Sequence, residues 1–214
     1  MELKKVEFQE ARRLLAEGDV LLFRGKGFWS YFIKKAAYGR YSHVGLASSH
    51  GTNGDRIWEC IEFREYKGGR SVNLGTYLKL YKGEIDVYRP SSIKRVYRLD
   101  TERNEIMPIT IGLNTKAVTN VMRKMTGLPY GWKRILFLAQ LKIPFLRLFY
   151  SIESMSDDSI KDPVYPICST AVAYSFAKSG FDLVHNRSDS STEPSDIARS
   201  PLLSYIFTIE PPKS

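Results

Sequence analysis

The sequence predicts an α+β fold in which an antiparallel sheet packs against a helix carrying a cysteine. Two observations predict it. Apolar runs of strand length, Ser42 to Ser48 and Arg56 to Phe63, follow one another across a turn and read as a β-hairpin. A late helical pattern opens directly on Cys168, two residues after Pro166. Strands adjacent in sequence pair antiparallel, which leaves the helices segregated to one side of the sheet.

The elements follow in order. Residues 7–17 form a short amphipathic helix stopped by Gly18-Asp19, and Val20 to Phe23 is a compact strand. Gly25 to Tyr41 is basic and aromatic, with Trp29, Phe32 and Ile33 at roughly helical spacing. The hairpin comes next, its turn Ser49 to Asp55 marked by composition. Gly68-Gly69 breaks the chain. Glu84 to Tyr88 is a third strand closed by Pro90, and residues 115–126 form a helix ending at Gly127. The stretch 135–150 is apolar and partly helical, interrupted by Pro144. Ser154 to Asp162 is a polar, acidic loop, and residues 186–192 are loop as well. Residues 168–178 form the cysteine helix, with Gly180 suited to its C-cap.

The 214 residues fit one domain, 1–214, with a helical apolar insertion near 132–162. A net charge of +9 draws anionic surfaces, whether lipid, cell-wall polymer or nucleic acid. The positive residues are scattered, and no zinc-finger or RNA-recognition spacing accompanies them, which argues against nucleic acid. The polar start, Met1 to Phe8, lacks the apolar core of a signal peptide. The longest apolar stretch holds Lys142, Pro144 and Arg147 and is too short to span a bilayer. The expectation is a cytoplasmic protein whose two cysteines stay reduced, with no metal and no cofactor.

A cysteine at a helix start meets exposed N–H groups and the positive end of the helix dipole, which favour a thiolate and a nearby oxyanion. Small residues on the same helix, Ala171 and Ser175 among them, allow close packing on a sheet. Along the first hairpin strand, alternation puts His43 on one face with Gly45 and Ala47. That small-residue face has room for the helix, and His43 becomes the base for Cys168. His50 and His185 fall in turn and loop, at the surface. A third group must orient the imidazole. On the second strand Glu59 shares a face with Ile57, Ile61 and Phe63. A carboxylate among apolar neighbours needs a partner, so Glu59 is the expected third member and Glu62 the fallback. Cys60 faces away from Glu59 as core.

These residues resemble a known family. The order histidine, acid, then cysteine on a late helix is similar to the circularly permuted papain-like hydrolases related to NlpC, and within them to the YiiX/YaeF-like group. Gly18 to Phe23 resembles that group's opening strand, Tyr41 to Leu46 its histidine strand, and Trp58-Glu59-Cys60 its acid strand. Gly127 to Gly131 looks like its tyrosine turn, Cys168-Ser169 its nucleophile motif, and Thr192 to Ser200 its C-terminal segment. Thr170 and Gly131 depart from the group, which often has acidic residues there.

The resemblance implies a permuted papain-like (NlpC-type) fold and a cysteine peptidase or amidase acting through an acyl-thioester on Cys168. It places Tyr130 against the active site, in contact with substrate or oxyanion. Tyr41 and Ser169, inside the histidine and cysteine motifs, are the further substrate-contacting candidates. The implied substrates are peptides, cell-wall peptides or acyl amides. The apolar 135–150 segment either packs as plain core or, with Tyr130 and nearby basic residues, walls a groove beside Cys168. Two other readings use the same fold: a lipid acyltransferase or thioesterase, and a basic binding module without catalysis. Ile167 before the cysteine departs from the asparagine-cysteine motif of the acyltransferases.

Overall fold

The computed structural model describes residues 4–25, 39–51, 55–100, 105–132, 166–185 and 191–211. The elements are β1 (Lys5–Val6), α1 (Phe8–Leu14), β2 (Val20–Arg24), β3 (His43–His50), β4 (Ile57–Arg64), β5 (Gly68–Asn73), α2 (Leu74–Leu80) and β6 (Glu84–Pro90). They continue with β7 (Ile93–Asp100), β8 (Glu105–Gly112), α3 (Thr115–Lys124), α4 (Cys168–Ala177), α5 (Pro194–Ala198) and β9 (Leu203–Ile209). A seven-stranded sheet runs in the order β1-β9-β6-β2-β3-β4-β5, and β7 pairs with β8 in a separate two-stranded ladder. Every pairing is antiparallel except β1 with β9. This is an α+β fold.

Alternation along the strands sorts the apolar residues into two cores. Val20, Leu22, Val44, Leu46, Ile61 and Phe63 pack with Val118 and Met122 of α3 and with Ala171, Val172 and Phe176 of α4. Leu21, Phe23, Ala47, Trp58 and Cys60 pack on the other side with Ala11 of α1 and with Leu74 and Leu78 of α2. Helices therefore cover both faces, where helices on one side were expected. The second layer is made by α1, through Ala11, and by α2, whose Leu74 and Leu78 form a stripe at i, i+4 behind the Asn73 cap; the Asn73 side chain accepts from the Thr76 N–H at 2.9 Å. The cysteine helix also lies on the face opposite to the expected one. It packs on Val44 and Leu46, not on Gly45 and Ala47.

Gly45 has a different use. A Cβ there would lie 2.6 Å from Cys60 Sγ, 3.0 Å from the Ile61 carbonyl oxygen and 3.4 Å from Glu62 Cβ. The missing side chain makes space for the facing side chains of β4. Gly68 and Gly69 likewise open a strand instead of breaking the chain. A Cβ on Gly68 would meet the Leu128 carbonyl oxygen at 2.3 Å, so glycine alone lets the loop after α3 lie against β5. That docking is sealed by two backbone bonds, Gly69 N–H to Leu128 (2.9 Å) and Gly127 N–H to Gly69 (2.8 Å).

Residues 26–38 of the basic aromatic segment, the apolar stretch 135–150 and the acidic loop 154–162 lie outside the described residues. So does the insertion expected near 132–162, apart from Trp132. No helix among the described residues is long and apolar enough to cross a membrane.

Candidate active site

Four side chains from four elements meet at one end of the large sheet. His43 is the first residue of β3, and Glu62 and Arg70 are register partners on β4 and β5. Gly45 stands opposite Glu62 on the other side. Gly45, Glu62 and Arg70 thus form one row across three strands, with His43 diagonal to Glu62 on the same face. Cys168 opens α4 on the opposite face of the sheet and reaches the imidazole at the strand end.

Glu62 is the organising group. It is fully buried, and its Oε2 lies 2.7 Å from His43 Nε2. Its Oε1 accepts from Arg70 Nε at 2.8 Å and from a terminal nitrogen of the same guanidinium. Burial opposes the Glu62 charge, but the adjacent His43 and Arg70 overcome it and hold the carboxyl down at about 2. For His43, burial acts to lower the pKa. The charges of Cys168 and Glu62 and hydrogen bonds to both outweigh it and push the imidazole up to about 10. With Nε2 on Glu62, Nδ1 is the nitrogen left for the Cys168 sulfur.

The floor beneath the imidazole is aromatic. The Phe23 ring meets His43 edge-on at 5.1 Å and packs on Tyr77 of α2 at 5.6 Å and on Tyr81, the C-cap of α2, at 5.3 Å. The Arg64 and Arg70 guanidiniums lie over the Tyr77 ring at 5.6 and 6.0 Å. This dry, cationic setting makes the contacts of Glu62 stronger than they would be in water.

Cys168 is the first residue of α4, after an Ile167 cap that offers no side-chain oxygen. The first N–H inside the helical ladder is that of Ala171, donating to Ile167 at 2.9 Å. The N–H groups of residues 168–170 come before it and point out of the helix start. The tyrosine turn is tied to the same place, with the Gly131 N–H donating to the Pro166 carbonyl at 3.1 Å. Tyr130 is buried against the cysteine. Burial first, then the Cys168 charge, keep its phenol protonated. Its ring meets Trp132 at 5.4 Å, and Trp132 meets the exposed Tyr66 at 4.9 Å. An aromatic ledge therefore runs from the cysteine to the surface.

The expected site residues divide. Cys168, His43 and Tyr130 come together. Glu59 does not join them. It faces Ser48 across the hairpin, accepts from Ser71 Oγ at 2.8 Å and Arg123 at 3.0 Å, and lies 3.5 Å from His50. The carboxylate on His43 is Glu62, because the register sets even-numbered β4 residues on the His43 face. Tyr41 does not present its hydroxyl to a substrate: it donates to Asp86 at 2.8 Å and sits 3.1 Å from the Tyr88 hydroxyl. Its backbone N–H reaches Ser195 Oγ of α5, which braces the entry to β3. Ser169 is fully buried inside α4. Cys60 is core, as expected, and burial pushes its thiol well up. Arg70 escaped the sequence reading because Gly68-Gly69 looked like a break. The signal was present in the alternation from Gly68 to Asn73, which places Arg70 and Val72 on one face.

No family profile and no curated protein matches this sequence. Among solved structures, the fold is similar to that of the metalloprotein yiiX from Escherichia coli O157:H7, with a TM-score of 0.54 at 13% identity. The match covers 91% of this chain and 98% of the other.

Proposed function

We propose that this chain is a cysteine hydrolase of the permuted papain-like, NlpC-related kind, cleaving an amide bond through an acyl-thioester on Cys168. The observation that carries the reading is the buried His43, held by Glu62 through Nε2 and within hydrogen-bond reach of the cysteine on its other side. A nucleophile, a base and an orienting carboxylate in that arrangement are the parts of an acyl-transfer site. The yiiX-like fold supports the family reading through shape alone.

Transfer of the thiol proton to His43 Nδ1 forms the sulfur anion–imidazolium pair that the site's charges favour, and the sulfur of that pair attacks the carbonyl carbon. The oxyanion is met by N–H groups at the start of α4 and by the neutral Tyr130 hydroxyl. The imidazolium returns its proton to the leaving nitrogen, and the amine departs. His43 then takes a proton from water, the resulting hydroxide attacks the thioester, and the sulfur leaves and regains its proton. Glu62 fixes the ring and stabilises its charge throughout. The substrates this reading favours are peptides, cell-wall peptides and acyl amides.

The structural neighbour is described as a metalloprotein. Among the described residues no three His, Cys, Asp or Glu side chains gather to hold a metal ion. Both Glu62 oxygens are already engaged by His43 and Arg70.

The test is labelling with an acyl-type, thiol-directed electrophile, read by intact mass and peptide mapping. The expected result is one adduct on Cys168 that is lost in His43→Ala. Labelling of Cys168 at an unchanged rate without His43 overturns the reading.

A further inference from the structure

We propose that Arg70 is a positioning residue that sets the charge balance of the site, holding Glu62 so that the cluster carries one excess positive charge when the Cys168 sulfur is protonated and becomes neutral when it is ionised. The inference rests on the hydrolase reading above and deepens it.

The geometry is a chain of fixed contacts. Arg70 grips Glu62 Oε1 through two nitrogens, one of them at 2.8 Å. A carboxylate is planar, so fixing Oε1 fixes the direction of Oε2. Oε2 in turn holds His43 Nε2 at 2.7 Å, which aims Nδ1 at the sulfur. Arg70 is placed for this by its register opposite Glu62 and by the Tyr77 ring under its guanidinium.

Charge gives the second half of the argument. With His43 protonated, His43 and Arg70 carry two positive charges against the single negative charge of Glu62. A sulfur anion on Cys168 brings the set to neutrality. Without Arg70 the same anion leaves a net negative charge in a buried site, which is costly. The other titratable or charged groups facing Glu62 and His43 are Cys60 and Arg64 on β4, Glu65 in the turn, Tyr77 on α2, Tyr81 at its C-cap, and Tyr130 in the loop. Burial keeps Cys60 and the three phenols neutral. Arg64 is engaged with the Tyr77 hydroxyl. Arg70 is therefore the cation that contacts Glu62 from the side away from His43.

The experiment is the pH profile of Cys168 alkylation by iodoacetamide in the full chain, with folding checked by thermal melting. Arg70→Met is expected to move the midpoint up by about one pH unit, a roughly tenfold loss of rate on the acidic limb. Arg70→Lys keeps the charge without the two-point grip and is expected to fall between Met and wild type. A folded Arg70→Met with an unmoved midpoint overturns the proposal. Where Arg70→Met does not fold, Arg70→Lys decides by the same criterion: a raised midpoint supports the role, and an unmoved one overturns it. His43→Ala separates the two readings. A profile that ignores His43→Ala removes the hydrolase reading itself, whereas one that responds to His43→Ala and not to Arg70→Met removes only the role of Arg70.

Discussion

Replacing each hairpin carboxylate by its amide separates Glu62 from Glu59 by a predictable margin. Glu62→Gln preserves shape and removes one buried negative charge. His43 and Arg70 then remain as two cations in a site where the carboxylate was fully enclosed. Breaking a buried pair by removing one partner costs about 3–5 kcal/mol. For a chain of this length each kcal/mol moves the melting temperature by roughly 2–4 °C, so a loss of about 6–20 °C is expected. His43 also sheds its proton more readily, which relieves part of that cost and places the loss toward the lower end. Glu59→Gln removes a charge whose partners, Arg123 and His50, are themselves 40% and 53% exposed. Partly solvated pairs of this kind are worth about 0–1 kcal/mol, which is a shift of at most about 4 °C. The assay is thermal unfolding at neutral pH with the alkylation rate of Cys168 measured alongside. Glu62→Gln is expected to lower both, and Glu59→Gln to leave the rate unchanged. Equal effects, or a larger one at Glu59, would refute the assignment of Glu62.

Iodoacetamide at mildly acidic pH is expected to modify Cys168 and spare Cys60, whose thiol burial pushes well up; equal modification in the folded protein, read by peptide mapping, contradicts this. Stability against pH follows from the His43–Glu62 pair. The His43 contribution is full below its ordinary 6.5 and is lost as pH rises through about 10. The Glu62 contribution is full above its ordinary 4.5 and is lost as pH falls through about 2. Urea midpoints across pH should therefore be highest between those two ordinary values and fall on both sides, and Glu62→Gln should flatten both limbs. Gly45→Ala places a methyl 2.6 Å from Cys60 Sγ and is expected to cost about 1–3 kcal/mol in chemical denaturation. Adding Cys60→Ala should recover part of that loss, so strictly additive single effects count against the packing argument.

The cysteine helix, the histidine strand and the hairpin were legible because each rests on local pattern: Pro166 ahead of Cys168, period-two alternation through His43, turn residues between two apolar runs. Which carboxylate meets the imidazole is a matter of register. Residues 59 and 62 have opposite parity, and a one-residue difference in pairing exchanges them. Local pattern did not fix that pairing across the 49–55 turn. The side on which the helix packs was misjudged for a related reason. Small residues at Gly45 and Ala47 look like a seat for a helix, yet the space at Gly45 is used within the sheet by Cys60 and Glu62. β5 and β9 were not read as strands. Gly68-Gly69 carries no β-propensity and is selected by the approach of Leu128, a contact remote in sequence. The β9 run, Leu203 to Ile209, takes its strand pairing from β1 and β6, partners remote in sequence.

The strand order also fixes when the molecule can be finished. β9 sits between β1 and β6, with Val6 beside Ile209 and Ile85 across from the same residue. Until residues 203–209 leave the ribosome, β6 shows an unpaired edge carrying Ile85 and Val87, and the core that Phe207 fills stays open. Nascent chains that stop short of residue 203 should therefore hold a sticky intermediate, and removal of residues 203–209 should divert the protein to aggregation.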